Sequence, residues 1–253
     1  MVSHTRNFIL RSIKLHPALY HFLRYRLYAR FRSVNRGQIF RKIYKTNTWG
    51  NDFSVSGPGS SLVSTENLRK SLPQLVAALG ARSFLDIPCG DFQWMKHVSL
   101  GVERYYGADI VLPLVEKNQN NFGDRGDFLH LDLLRDPLPS VDIVFCRDCL
   151  GHLSFREIHL AIKNIRNAVP DYFFTTTFPD HKVNVDTVTP YWRALNLQLA
   201  PFNFPAPIHL IKDFSDSQHD HRGKYLGIWR TQDLNLDQST PFPANTENPT
   251  ADE

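Results

Sequence analysis

Four apolar segments of this 253-residue chain each run into polar chemistry at their far end, and that repetition constrains the fold more than any other feature. Phe84-Leu85 ends in Asp86, Tyr105-Tyr106-Gly107-Ala108 in Asp109, and Phe128-Leu129-His130-Leu131 in Asp132. The fourth, Val141-Asp142-Ile143-Val144-Phe145, ends in the cluster Cys146-Arg147-Asp148-Cys149. Asp86 and Asp109 stand 23 residues apart, the length of one strand-helix-strand step. In a parallel sheet all carboxyl ends of the strands share one edge, so the four polar ends point at one cleft.

Strands are expected over about 82–87, 104–109, 126–131, 141–146 and 170–177, with helices between most of them. That alternation predicts an α/β, Rossmann-like doubly wound sheet, mostly parallel, with helices on both faces. Ser64 or Thr65 is placed to cap a helix from Thr65 to Leu79 whose apolar face is Leu68, Leu72, Leu75, Val76 and Leu79. Ser154 is placed to cap the clearest crossover helix, Phe155 to Ala168, with Ile158, Ala161, Ile162 and Ile165 at helical spacing. After Tyr172 to Thr177 the rhythm breaks into a Pro-rich stretch, then returns in Ile208-His209-Leu210-Ile211 and Tyr225-Leu226-Gly227-Ile228-Trp229. These read as an antiparallel closing pair.

At the first turn, Pro88, Cys89 and Gly90 follow Asp86 with small atoms that let a ligand approach the backbone, and an amino-acid-bearing nucleoside fits there. Asp109 is placed to accept hydrogen bonds from the two hydroxyls of a ribose. Together with Trp49-Gly50, Ser56 to Ser60, Asp86 to Met95, Cys146 to Leu153 and Trp192 to Leu197, the series resembles the class I S-adenosylmethionine-dependent methyltransferases. The resemblance runs from about Ile43 to Trp229, and it implies a seven-stranded sheet and S-adenosylmethionine as cofactor. It departs from the usual first motif at Asp91, where a second Gly is common. By resemblance, Asp86, Cys89, Gly90, Asp91 and Trp94 surround the amino-acid moiety of the cofactor. Asp109 and Ile110 meet the ribose, Asp132 and Leu133 the adenine, Arg147 and Asp148 the side nearest the methyl, and Trp49 closes over the cleft. A plain linker remains the other reading of the segment that holds Trp49. An ordinary strand-to-helix turn is the other reading of Asp86 to Gly90, and a nicotinamide dinucleotide site is the rival ligand. The latter wants G-x-G-x-x-G, whereas only Gly90 is present and Asp91 repels a pyrophosphate.

Methyl transfer asks for positioning and a base. His152 and Asp148 are the candidates, His152 ahead because its ordinary pKa lies near 6.5, whereas Asp148 needs its own raised by burial. A histidine at the start of the crossover helix is the alternative reading of His152. Arg147 is expected to pair with Asp148 or Asp91, or to meet an acidic group on the substrate. Trp192, Arg193 and Asn196 offer a stacking face, a charged fork and an amide, which suit a sugar, a carboxylate or a phosphate, although a helix surface explains them equally. The reading is methyl transfer to an O or N nucleophile of a small or glycan-like acceptor. A noncatalytic module that keeps the fold is the alternative, and an oxidoreductase a distant third.

The net charge of +4 hides an asymmetry: 11 Lys or Arg and no Asp or Glu lie in residues 1–51, against 18 basic and 25 acidic residues after them. Residues 1–42 read as a basic arm, 43–80 as a cofactor-covering segment with a helix, 81–232 as the catalytic core and 233–253 as a disordered acidic tail. In the arm, Pro17 opens a helix in which Leu19, Phe22, Leu23, Leu27 and Phe31 form a stripe apart from Arg24, Arg26 and Arg30. Such a helix suits an anionic membrane surface, RNA, or the chain's own domain. Cys89, Cys146 and Cys149 are too few and odd in number for a disulfide framework. Cys146 and Cys149 have C-x-x-C spacing but no second pair, so no metal is expected. No apolar run reaches the roughly 20 residues of a membrane span and no cleavable leader is evident, so a soluble, cytoplasmic protein is expected, peripheral to a membrane if the arm binds one.

Overall fold

A computed structural model describes residues 35–50, 53–214 and 223–234. The arm helix around Pro17 and the tail beyond Asn235 lie outside the described residues.

Among the described residues seven strands form one sheet in the order β3-β2-β1-β4-β5-β7-β6. They are β1 (Ser83–Asp86), β2 (Arg104–Asp109), β3 (Asp127–His130), β4 (Ile143–Cys146), β5 (Tyr172–Thr177), β6 (His209–Lys212) and β7 (Tyr225–Arg230). The first five pair in parallel, and β7 runs antiparallel to both β5 and β6. Since β1 lies between β2 and β4, the strand order reverses direction there, and a crevice opens at the carboxyl edge.

Both faces of the sheet are covered, which explains why β1 and β4 are buried at every position and read as continuous apolar runs. Leu85, Val144, Phe173 and Trp229 pack on one side with Ile158, Ala161, Ile162 and Ile165 of α4 (Phe155–Asn167). On the other, Phe84, Ile143, Phe145, Phe174 and Ile228 pack with Leu68, Leu72 and Val76 of α2 (Glu66–Ala78). The i, i+2 alternation of strands and the i, i+4 recurrence of helices produce these two layers. Ser154 caps α4 in a reciprocal box with Glu157, as its sequence implies. At α2, by contrast, neither Ser64 nor Thr65 caps the helix: the Thr65 hydroxyl donates to the Ser61 carbonyl and that of Ser64 to the Pro58 carbonyl, so both tighten the preceding turn.

Two elements differ from expectation. No α-helix follows β1 or β3: a single 3-10 turn, Met95–His97, stands after β1, and only turns join β3 to β4, so helices fill two of the four gaps between the first five strands. Gly90 and Phe92 have φ of 57° and 58°, which breaks helical continuation, and Phe92, Trp94 and Met95 all turn into the core. Second, a helix, α1 (Arg36–Lys45), crosses the boundary expected near residue 42, capped by the Asn35 side chain, which accepts from the Gly37 N–H at 2.8 Å. It belongs to the cleft: Arg36, Phe40, Ile43 and Tyr44 line it. The fourth described α-helix, α3 (Leu112–Phe122), follows β2. No described helix is long and apolar enough to cross a membrane.

Candidate active site

A cavity of about 690 Å³ occupies the carboxyl edge of β1, β2, β3 and β4, within the range of small-molecule sites. Asp86 to Gly90, Asp109 to Val111 and Leu131 to Leu134 form one end, under α1; Gly57 to Ser60, Arg147 to Cys149, His152, Trp192 and Lys224 form the other. Trp49 lines it too and stacks on His152, with ring centroids 4.5 Å apart and planes 30° from parallel.

The glycine turn is tied to the acids around it. The Gly90 N–H donates to Asp109 Oδ2 at 3.2 Å, and Val111 N–H donates to Asp109 Oδ1 at 3.0 Å. The Ile110 N–H also acts on this carboxylate, and of the roughly four lone-pair sites a carboxylate offers, these three donors leave Asp109 room to accept from a ligand hydroxyl. The Gly90 carbonyl accepts from the Asn118 amide of α3 at 2.7 Å. At Gly90 a Cβ would stand 2.3 Å from the Ser56 hydroxyl, so only glycine lets the covering segment lie this close. Asp86 accepts a hydrogen bond from the Tyr105 hydroxyl at 2.8 Å. Burial pushes the Asp86 carboxyl up to about 7 and that of Asp109 up to about 6.

Asp91 corrects the sequence reading. It does not line the cavity, because its carboxylate accepts from the Ser54 hydroxyl at 3.0 Å and the Val55 N–H at 2.9 Å. Asp91 thus fastens the covering segment to the turn after β1. Cys89, Trp94, Ile110 and Leu133 do line the cavity, as does Asp132. Asp132 accepts from Arg36 at 2.7 Å and from the Leu134 N–H at 3.0 Å, and Arg36 also reaches Glu157 at 3.4 Å. Through Arg36, α1 is joined to the ends of β3 and α4.

At the other end four charges are packed together. Arg147 forks onto Asp213, with Nε to Oδ2 at 2.9 Å and Nη2 to Oδ1 at 2.9 Å, and lies 3.3 Å from Asp148. It also donates to the Gly59 carbonyl at 2.9 Å and sits 5.3 Å from the centroid of the Trp94 ring. Its expected partner Asp148 is present, Asp91 is not, and the stronger partner Asp213 was not anticipated. Lys224 bridges Asp148 at 2.5 Å and Asp213 at 3.2 Å. These contacts overturn Asp148 as a base. Burial works against its charge, yet Lys224 and Arg147 outweigh burial and hold its carboxyl well below the usual carboxylate range. A group so acidic cannot take a proton near neutrality.

His152 ends a 3-10 turn, Leu150–His152, and lines the cavity. Its Nδ1 lies 3.0 Å from the Pro190 carbonyl. A carbonyl only accepts, so Nδ1 carries the hydrogen and Nε2 is the basic nitrogen of the neutral ring. Trp192 lines the cavity, but Arg193 and Asn196 do not. Arg193 donates to the Leu150 and Gly151 carbonyls at 2.9 and 2.8 Å, and burial lowers its pKa to about 10. Asn196 donates to the Pro179 and His181 carbonyls at 2.9 and 3.0 Å. Both hold the irregular segment after β5 in place; neither reaches a ligand. Cys146 is buried in the core, and among the described residues no cluster of three His, Cys, Asp or Glu could hold a metal ion.

Sequence reasoning missed Arg36, Asp213 and Lys224. Topology holds the signal for two of them. β6 runs in the same direction as β1, so Asp213, one residue after its end, obeys the same rule as Asp86. β7 runs oppositely, so Lys224, one residue before its start, falls on that edge too.

A family model described as a methyltransferase domain matches residues 85–170. Solved structures are similar over part of the chain. An S-adenosylmethionine-dependent methyltransferase from Clostridium acetobutylicum is 10% identical over 45% of this chain and 51% of its own, with a TM-score of 0.40. Magnesium protoporphyrin IX methyltransferase from Synechocystis PCC 6803, solved with S-adenosylmethionine bound, is 16% identical over 61% and 82%, with a TM-score of 0.46. A Pyrococcus horikoshii protein is 16% identical over 66% and 88%, at 0.47. The chain spans about half the length of the first of these. Likeness at this level says nothing of the acceptor. No curated protein sequence matches the chain.

Proposed function

We propose that this chain, whose residues 85–170 match a methyltransferase-domain model, is a class I S-adenosylmethionine-dependent methyltransferase that moves a methyl group to an O or N nucleophile of a small or glycan-like acceptor. The observation that supports it best is the Asp109 carboxylate, buried at the end of β2 and oriented by the Gly90, Val111 and Ile110 N–H groups with acceptor capacity to spare. A ribose hydroxyl matches that remaining capacity. The bare Cα of Gly90 and the buried acid Asp86 fit the amino-acid part of the cofactor, Ile110 stands beside Asp109 at the ribose, and Asp132 and Leu133 fit the adenine. Bound there, S-adenosylmethionine supplies an activated methyl on a sulfonium, so the protein need not activate the leaving group.

What the chain's own residues contribute is alignment and a proton acceptor. Trp49 covers His152 and, with the Pro190 carbonyl on Nδ1, fixes the ring so that Nε2 is the nitrogen able to take a hydrogen from the acceptor. The covering segment, fastened through Asp91, walls the cavity with Ser56 to Ser60. His152→Gln tests the assignment: turnover should fall about a hundredfold while cofactor affinity stays unchanged. Undiminished turnover removes His152 from the reaction.

A further inference from the structure

We infer that the end of the cavity beyond the cofactor is built for a neutral polyol: Asp148 is a positioning residue that accepts a hydrogen bond from the hydroxyl beside the reacting one, and Lys224 fixes it. This rests on the methyl-transfer reading above.

Charge is the first ground. Arg147, Lys224, Asp148 and Asp213 are two cations and two carboxylates in mutual contact, so the cluster carries no net charge into the cavity. An anionic acceptor such as a carboxylate or phosphate meets Asp148 at the cavity wall and two cations already neutralised by it and by the buried Asp213, and an ammonium acceptor meets those two cations. Neither gains a net attraction to offset its lost hydration. A neutral hydroxyl loses little.

The second ground is how Asp148 is held. Its φ is 53°, a left-handed conformation that aspartate enters more readily than most residues and that its contacts hold in place here. Thr176 Oγ1 accepts from its backbone N–H at 2.9 Å, and Lys224 grips Oδ2 from the sheet side. The side chain keeps 31% of its exposure and faces the cavity. Because its carboxyl stays ionised, Asp148 can only accept, which selects a ligand group that bears a hydrogen. Lys224 has three N–H donors, two of them engaged with Asp148 and Asp213. Acceptor and donor side by side match a hydroxyl. Trp192, 37% exposed at the same end, offers a ring face to the C–H groups of a saturated ring.

His152 lies close enough to act electrostatically on Asp148. With one hydroxyl on Asp148, its neighbour on the acceptor meets His152. That oxygen gives a lone pair to form the O–CH3 bond, the S–CH3 pair remains on sulfur as a thioether, and the hydroxyl proton passes to His152 Nε2.

The full-length protein, methyl-tritiated S-adenosylmethionine and the small-molecule and polysaccharide fractions of the cells that express the chain make the test. The expected product is a neutral methyl ether stable to mild base. Asp148→Asn should raise KM for the acceptor fraction about tenfold or more, with cofactor affinity within about twofold of wild type by calorimetry. Label released by mild base as methanol marks a methyl ester, and label retained on a cation exchanger marks an N-methyl product; either overturns the inference. So does an absence of transfer by protein that binds the cofactor, or an unchanged KM in Asp148→Asn. If that variant does not fold, the chemical form of the wild-type product decides alone. Failure to bind S-adenosylmethionine at all would instead sink the underlying methyl-transfer reading.

Discussion

The Lys224 ammonium stands 2.5 Å from the Asp148 carboxylate and 3.2 Å from that of Asp213, joining the start of β7 to the ends of β4 and β6. Only 4% of its side chain is exposed, and Asp213 is fully buried. Arg147 alone cannot balance two carboxylates. Lys224→Met should therefore cost about 3 kcal/mol of stability, since removal of one member strands a buried charge. Denaturant unfolding measures it. A loss under about 1 kcal/mol means that water already screens the cluster.

The two buried acids at the cofactor end set opposite pH trends. Asp86 titrates at about 7 and Asp109 at about 6 when folded, both raised by burial from an ordinary 3.8. Between pH 3.8 and 7 the folded chain therefore holds protons that the unfolded chain has lost, so stability falls as pH rises through that window. Asp148 does not offset this. Lys224 and Arg147 lower its pKa despite burial, so its contribution is lost only as pH falls below the ordinary carboxylate range. Cofactor affinity should run the other way and rise from pH 5.5 to 8, because ionised carboxylates accept hydroxyl and ammonium hydrogen bonds more strongly. Thermal midpoints and titrations at those two pH values check both signs; matching signs refute the argument.

Gly90→Ala places a Cβ 2.3 Å from the Ser56 hydroxyl at a φ of 57°. The covering segment must shift, and Asp91 then loses its grip on Ser54 and Val55. A loss of roughly 1–3 kcal/mol is expected, with proteolysis of the native protein faster within residues 53–60. Wild-type proteolysis there would show that the segment is held by other contacts.

Most of the sheet is legible in the sequence because burial on both faces leaves uninterrupted apolar runs, as in Phe84-Leu85 and Ile143-Val144-Phe145. Carboxyl-terminal acids mark its edge. Illegible were the features that depend on who meets whom. Asp91 reads as a cofactor ligand until Ser54 and Val55 are seen to occupy it, and Asp148 as a base until Lys224 arrives from 76 residues away. Arg193 and Asn196 have ligand-like chemistry, but backbone carbonyls consume it, those of Leu150 and Gly151 for Arg193 and those of Pro179 and His181 for Asn196. The missing helix after β1 follows from left-handed Phe92, a conformation that no propensity assigns to phenylalanine.

Asp109 carries the central claim, and calorimetric titration of S-adenosylmethionine and S-adenosylhomocysteine into wild type and Asp109→Asn tests it most directly. Micromolar binding of both ligands to wild type is expected, weakened roughly tenfold to a hundredfold in Asp109→Asn, the worth of one or two hydrogen bonds to a charged group. Absence of heat and of thermal stabilisation with either ligand, or equal affinity in the two proteins, would contradict the assignment of this cleft.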